Sequence, residues 1–172
     1  MRTLTDQLAQ YAAYHRDRRN VATHFVGIPM IVLALAALLS RPSWPLGGTF
    51  ALTPAWLLFA AASLYYLVLD VPLGIGMGVF AACCAAFGQW AAAQPTPLWL
   101  AIGSGLFVVG WVLQFVGHIR YEHRKPAFVD DIVGLLIGPL FVLAEALFGF
   151  GMRRPLRDAI EAKLARETHV SD

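Results

Sequence analysis

The 172-residue chain is 58% hydrophobic and 14% charged, with a mean hydropathy of +0.61, whereas soluble domains carry about 25% charged residues. That composition excludes an ordinary water-soluble domain and points to a single helical bundle with lipid as part of its solvent. The 13 basic and 11 acidic residues leave a net charge of +2; the basic ones gather at the ends of apolar runs, so they read as topology signals and lipid contacts, and nucleic acid is not an expected partner.

In chain order, MRTLTDQLAQYAAYHRDRRN contains Asp6 and Asp17 and lacks the short basic-then-apolar form of a cleaved signal, so it is expected to stay on the mature protein. Four apolar runs follow: Phe25 to Ser40, Phe50 to Leu69, Val71 to Ala93 and Leu98 to Gly117. Each is near the ~20 residues a membrane-crossing helix needs, the first if it extends back through Val21, Ala22 and Thr23. RPSWPLGG, DVPLG and AQPTP separate them, and such short Pro- or Gly-rich loops predict antiparallel neighbours. Adjacent Cys83 and Cys84 lie inside the third run and suit packing. The five tryptophans, with Tyr65 and Tyr66, mostly fall near span ends, where an aromatic belt explains them.

Arg16, Arg18 and Arg19 precede the first run, while Arg120, Arg124 and Lys125 follow the fourth. An even number of crossings puts both groups on one side, and the positive-inside rule makes that side, and both termini, cytoplasmic. A fifth stretch, IVGLLIGPLFVLAEALFGFG (132–151), would as a further span place Arg153, Arg154, Arg157, Lys163 and Arg166 outside. Gly138-Pro139 at its centre instead predicts two half-helices that dip in and return. Glu145 within it should then face the bundle, water or a basic partner. Asp130-Asp131 reads as a cap for the helix that follows. The expected fold is therefore all-α: a polytopic membrane helical bundle of about four transmembrane helices plus a C-terminal re-entrant or interfacial hairpin. Residues 1–154 form one membrane-embedded domain and 155–172 an amphipathic or flexible cytoplasmic tail.

Four of the five histidines form two groups, His15 with His24 and His118 with His123, both at the cytoplasmic ends of spans in this topology. Imidazoles converging from opposite ends of the chain could hold Fe, Zn, Cu or Ni. Spacing sets a condition. On unbroken helices His118 and His123 point about 140° apart and His15 and His24 about 180° apart, so a four-histidine site demands local breaks, which Pro126 and the RDRRN segment make possible. With intact helices the set shrinks to one histidine from each group plus Glu122 or Asn20, a mixture that suits non-haem iron. Axial haem ligation and headgroup or capping contacts remain alternatives; His169 in the tail takes the latter reading.

Tyr14-His15, Asn20, His24, Gly27 and Pro29, then Gln114, Gly117-His118, Glu122 and Pro126-Ala127, form a pattern that resembles the yeast 2-hydroxy fatty acid dioxygenase family of membrane proteins, from about Leu4 to Arg154. The resemblance implies Fe(II) as cofactor and α-oxidation of a 2-hydroxy long-chain fatty acid by O2 to the acid one carbon shorter. It implies His15, His24, His118 and His123 as iron ligands. Asn20, Gln114 and Glu122 would orient imidazoles, and Arg19, Arg120 or Arg124 would pair with the substrate carboxylate. The rival from another class is a non-catalytic membrane protein that binds or organises lipid.

Overall fold

Helices make up nearly all of the protein in the computed structural model, which describes residues 3–45, 51–123 and 133–170. In order they are α1 (Leu4–Ala13), α2 (Arg18–Leu39), α3 (Pro54–Leu69), α4 (Val71–Ala92), α5 (Thr96–Gly117) continued by a π turn (His118–Glu122), α6 (Gly134–Gly149) and α7 (Arg154–Val170). The fold is an all-α membrane bundle. Its contacts divide into two compact units, Val26–Gln114 and Met1–Phe25 with Phe115–Asp172, whose borders fall inside α2 and α5.

In the Val26–Gln114 unit, Asp70 ends α3 and caps α4, its side chain accepting from the Leu73 N–H at 2.9 Å with Pro72 in the first turn. The two helices pack closely enough that a Cβ on Gly74 would lie 2.6 Å from the Leu67 backbone. Ala36, Ala55, Phe59, Cys84 and Ala85 form the core, so Cys84 packs, while Cys83 is exposed. Between α2 and α5, a Cβ on Gly110 would meet the Gly27 carbonyl at 2.9 Å. Trp99 on α5 donates to the Ala37 carbonyl at 2.8 Å, and the Arg41 guanidinium lies 4.4 Å from its ring. Leu57, Leu64, Val68, Ile75, Val79 and Val108 are exposed, as a lipid-facing surface requires.

α2, α4 and α5 with its π turn are long and apolar enough to cross a membrane. The run expected from Phe50 to Leu69 is shorter as a helix. Thr53, extended and with its hydroxyl accepting from the Trp56 N–H, caps α3 directly before Pro54. Ala51–Leu52 instead pair with Trp44–Pro45 as a two-residue antiparallel ladder. Sixteen helical residues reach only about 24 Å, less than the ~30 Å of a hydrocarbon core.

In the unit of the two termini, a reciprocal capping box starts α1: the Asp6 N–H donates to Thr3 Oγ1 and the Thr3 N–H to Asp6 Oδ2. Leu4, Leu8 and Tyr11 then recur on one buried face. The break expected at Gly138-Pro139 is absent, because α6 runs through Pro139. The carbonyl that this proline would strain belongs to Leu135 in the first turn, so the lost hydrogen bond sits at the helix end. The chain turns instead after Gly149. Gly151 takes φ 73°, its N–H donates to the Phe148 carbonyl and the Met152 N–H to that of Leu147, a pattern that closes α6. α7 leaves at 115° and packs on α1, where Lys163 pairs with Asp6 and Ile160 is buried. The tail is thus a docked helix, and Glu145 has Arg157 and Glu161 of α7 as its charged neighbours. Pro126 and Asp130-Asp131 lie outside the described residues.

Candidate metal centre

The histidines are positioned by two interruptions of helix. The first lies between α1 and α2. Tyr14 ends α1 with its N–H shared between the Tyr11 and Ala12 carbonyls, and the Asp17 side chain restarts the chain as α2 by accepting from the Arg19 N–H at 2.7 Å. His15 sits in that break. The second is the π turn, closed by the His123 N–H on the His118 carbonyl, five residues apart; isolated π turns gather at functional sites. A side chain at position 117 would lie 2.2 Å from Thr23 Oγ1 and 2.4 Å from Asn20 Oδ1, so glycine there lets the turn meet the start of α2.

These interruptions bring together His15, His24 and His118, which are 5%, 1% and 2% exposed. One ligand atom from each lies within 4.8 Å of the others. Their rings are 4.4 to 4.9 Å apart between centroids and meet edge to face. His123 is not in the group: it is exposed, with φ 52° at the end of the π turn. Asn20 is fully buried beside His24, and its side-chain amide donates to Glu122 Oε1 at 3.2 Å. Gln114 belongs to the other unit, where its side chain lies against Gly27.

The hydrogen bonds fix the tautomers. His15 Nδ1 is 2.6 Å from the Tyr11 carbonyl and His24 Nδ1 is 2.9 Å from the Asn20 carbonyl, in both cases four residues back. A carbonyl only accepts, so each ring carries its hydrogen on Nδ1 and leaves Nε2 as a bare lone pair. Those two Nε2 atoms face each other at 3.0 Å. Two lone pairs at that distance repel unless a cation or proton lies between them. A proton is disfavoured at His15, where burial, reinforced by His24, pushes the imidazole down to about 3. His118 Nδ1 is a further buried nitrogen without a hydrogen-bond partner among the described residues. Neutral imidazoles with converging, unpartnered nitrogens are the donor set of a transition-metal site, so the residues present fit a metal.

A family model described as 2-hydroxy-palmitic acid dioxygenase Mpo1-like matches residues 1–150. The chain belongs to the Mpo1-like family. It is 31% identical over 162 residues to the 2-hydroxy-palmitic acid dioxygenase MPO1 of Saccharomyces cerevisiae (strain ATCC 204508 / S288c), an alignment that covers 94% of this chain and 89% of the yeast protein. No solved structure matches the chain.

Two residues packed against the histidines of this Mpo1-like chain were not among those expected from sequence. Tyr11 stacks on His15 with centroids 4.1 Å apart and planes within 5°, and Phe141 of α6 packs against both rings. Burial raises the Tyr11 phenol well above its ordinary range, so it stays neutral. Tyr11 was findable, since it lies one helical turn before His15 on the apolar face opened by Leu4 and Leu8. Phe141 has no local signal, because it arrives through the packing of α6 on α1.

Proposed function

We propose that the chain is an Fe(II)-dependent dioxygenase that converts a 2-hydroxy long-chain fatty acid to the acid one carbon shorter, working at the cytoplasmic face of a bacterial membrane with both termini in the cytoplasm. The observation that carries the proposal is the pair of buried Nε2 lone pairs 3.0 Å apart in a chain of the Mpo1-like family. His15, His24 and His118 hold the metal, and His123, exposed at the end of the π turn and joined to them only by the family pattern, would have to turn inward to serve as the fourth ligand. Bound iron would supply Lewis acidity toward the substrate's carboxylate and 2-hydroxyl and the redox capacity that O2 chemistry needs.

The protein's own contribution is positional. The carbonyls of Tyr11 and Asn20 keep His15 and His24 in the tautomer that offers Nε2. Burial keeps water and protons off those nitrogens. Arg19 and Arg120, both exposed beside the site's segments, are candidates to pair with the carboxylate, as is Arg124 outside the described residues. The overall change balances without an external reductant: R–CH(OH)–COOH and O2 become R–COOH, CO2 and water as the Cα–C1 bond breaks.

The test is anaerobic loading of the purified protein with Fe(II), then O2 and a 2-hydroxy long-chain acid such as 2-hydroxypalmitate, with mass spectrometry for the acid one carbon shorter. No such product across several chain lengths would sink the substrate assignment. Metal analysis separates the remaining readings: stoichiometric zinc points to a structural or hydrolytic site, since three imidazoles suit zinc equally well, and a metal-free wild type prepared without chelator points to a lipid-binding protein.

A further inference from the structure

Glu122 was expected to orient an imidazole, yet its two described hydrogen bonds go elsewhere. Glu122 Oε1 accepts from the Asp17 backbone N–H at 2.8 Å and from the Asn20 side-chain amide at 3.2 Å. Both donors lie more than 100 positions away in sequence. Asp17 is the last residue of the break that contains His15. Asn20 is in the first turn of α2, and its carbonyl holds the Nδ1 hydrogen of His24. Glu122 itself closes the π turn that begins at His118.

We infer that Glu122 is a positioning residue, a latch that joins the three chain segments bearing His15, His24 and His118 through one carboxylate oxygen. This inference rests on reading the histidine group as a metal site. The three segments are a helix break, the first two turns of α2 and a π turn, and none of them is tied to the others by continuous helix. Without a tie, their imidazoles would approach one ion only after an ordering cost. The acceptor is charged, which strengthens both bonds. The Asp17 N–H needs it most, because the residue that caps a helix cannot bond its own N–H within that helix. The π turn acquires a purpose here, since it carries His118 and Glu122 on the same short segment while His118 meets the other rings. Asn20 then does two jobs, its carbonyl setting the His24 tautomer and its amide meeting the latch.

The test uses full-length protein in detergent, with Co(II) as the spectroscopic probe and Fe(II) affinity measured by competition. Glu122→Ala should weaken metal binding about 10- to 100-fold, the usual effect of removing a residue that orients ligands, and should alter the Co(II) visible spectrum. Glu122→Gln keeps an acceptor oxygen and should rescue affinity to within a few-fold. Asn20→Ala combined with Glu122→Ala should cost less than the sum of the two, as partners in one network do. Wild-type affinity in Glu122→Ala would overturn the latch. So would Glu122→Gln falling as far as Glu122→Ala, because charge or direct ligation would then be the cause. Hydrogen exchange at the Asp17 amide of metal-free protein gives a readout independent of the ion. Faster exchange in Glu122→Ala but not in Glu122→Gln supports the latch even where wild type binds no metal, which is the outcome that would defeat the metal-site reading alone.

Discussion

In the Val26–Gln114 unit the buried residues are mainly small or apolar, and its buried polar side chains, such as Ser40, Thr53 and Gln114, are scattered. In the unit of the two termini, His15, Asn20, His24 and His118 are buried together. Buried polar groups cost free energy unless they are partnered. The scattered ones are local matters: Thr53 caps a helix, while Ser40 Oγ and Gln114 Nε2 stand alone without hydrogen-bond partners among the described residues. The imidazoles differ because their unpartnered nitrogens point at a common place. One unit therefore buries its polar groups singly, and the other gathers three imidazoles that could hold a metal.

The largest expected effect breaks that second interior. His24→Ala or His118→Ala should reduce metal affinity by more than about 100-fold, beyond what loss of an orienting residue does, while circular dichroism stays helical. Retained stoichiometric metal in both variants would remove the histidine group from the metal site. In the other unit the matching experiment addresses its surface. Leu64 is 64% exposed in α3, and if that face meets lipid, Leu64→Arg should cost about 2.5–3.5 kcal/mol, the scale for a cation near a membrane helix centre, and should lower yield in the membrane fraction. Wild-type yield and melting behaviour would mean that this face sees water.

The close packing of the apolar unit makes a smaller and more specific prediction. A Cβ on Gly88 would sit 2.5 Å from the Ala36 carbonyl oxygen and 2.6 Å from Ser40 Oγ. The carbonyl belongs to helix backbone and cannot swing aside, so Gly88→Ala should destabilise the protein by about 1–3 kcal/mol. Metal affinity should not change. Coupled loss of stability and metal binding would show that the distinction drawn between the two interiors is too sharp.

What was legible in the sequence follows the same division. Val71 to Ala93 and Leu98 to Gly117 were readable as α4 and α5 almost to the residue, because bilayer-length apolar runs between Pro-containing loops leave little choice. The spacing of the histidines made local breaks the condition of a four-histidine site, and breaks stand at Tyr14–Asp17 and at the π turn. The failures are places where a local rule met a tertiary context. Pro139 was read as a break, yet it lies one turn into α6, where its penalty is small, and Gly151 makes the turn instead. Ala51-Leu52 looked like part of a span, but Thr53-Pro54 is the stronger start signal for a helix. His123 is not one of these: grouped with His118 by sequence and by the family pattern, it is exposed at a left-handed backbone position, a placement that no pattern of residue types foretells, and metal binding by a His123→Ala variant tests its role. The Asp17 and Asn20 contacts of Glu122 span more than 100 residues and exist only once the fold does.

The smallest predicted effect lies at the edge of the polar unit, where α7 holds α1. Asp6 accepts from Thr3 in the capping box and pairs with Lys163, and these bonds, the lysine's first, hold its carboxyl well below the usual carboxylate range. A carboxyl depressed on folding contributes stability that is present above its unfolded pKa of about 3.9 and is lost as pH falls below it. The two side chains are about one-third exposed, so salt and water screen much of the pair's strength. Asp6→Asn should therefore lower the melting temperature slightly at pH 7, and the difference from wild type should shrink as the pH is taken below about 4. High salt should shrink it too. A difference that persists unchanged at low pH would assign the effect to the cap geometry that asparagine reproduces imperfectly, and would remove the Asp6–Lys163 charge pair from the forces that keep α1, and with it His15, in place.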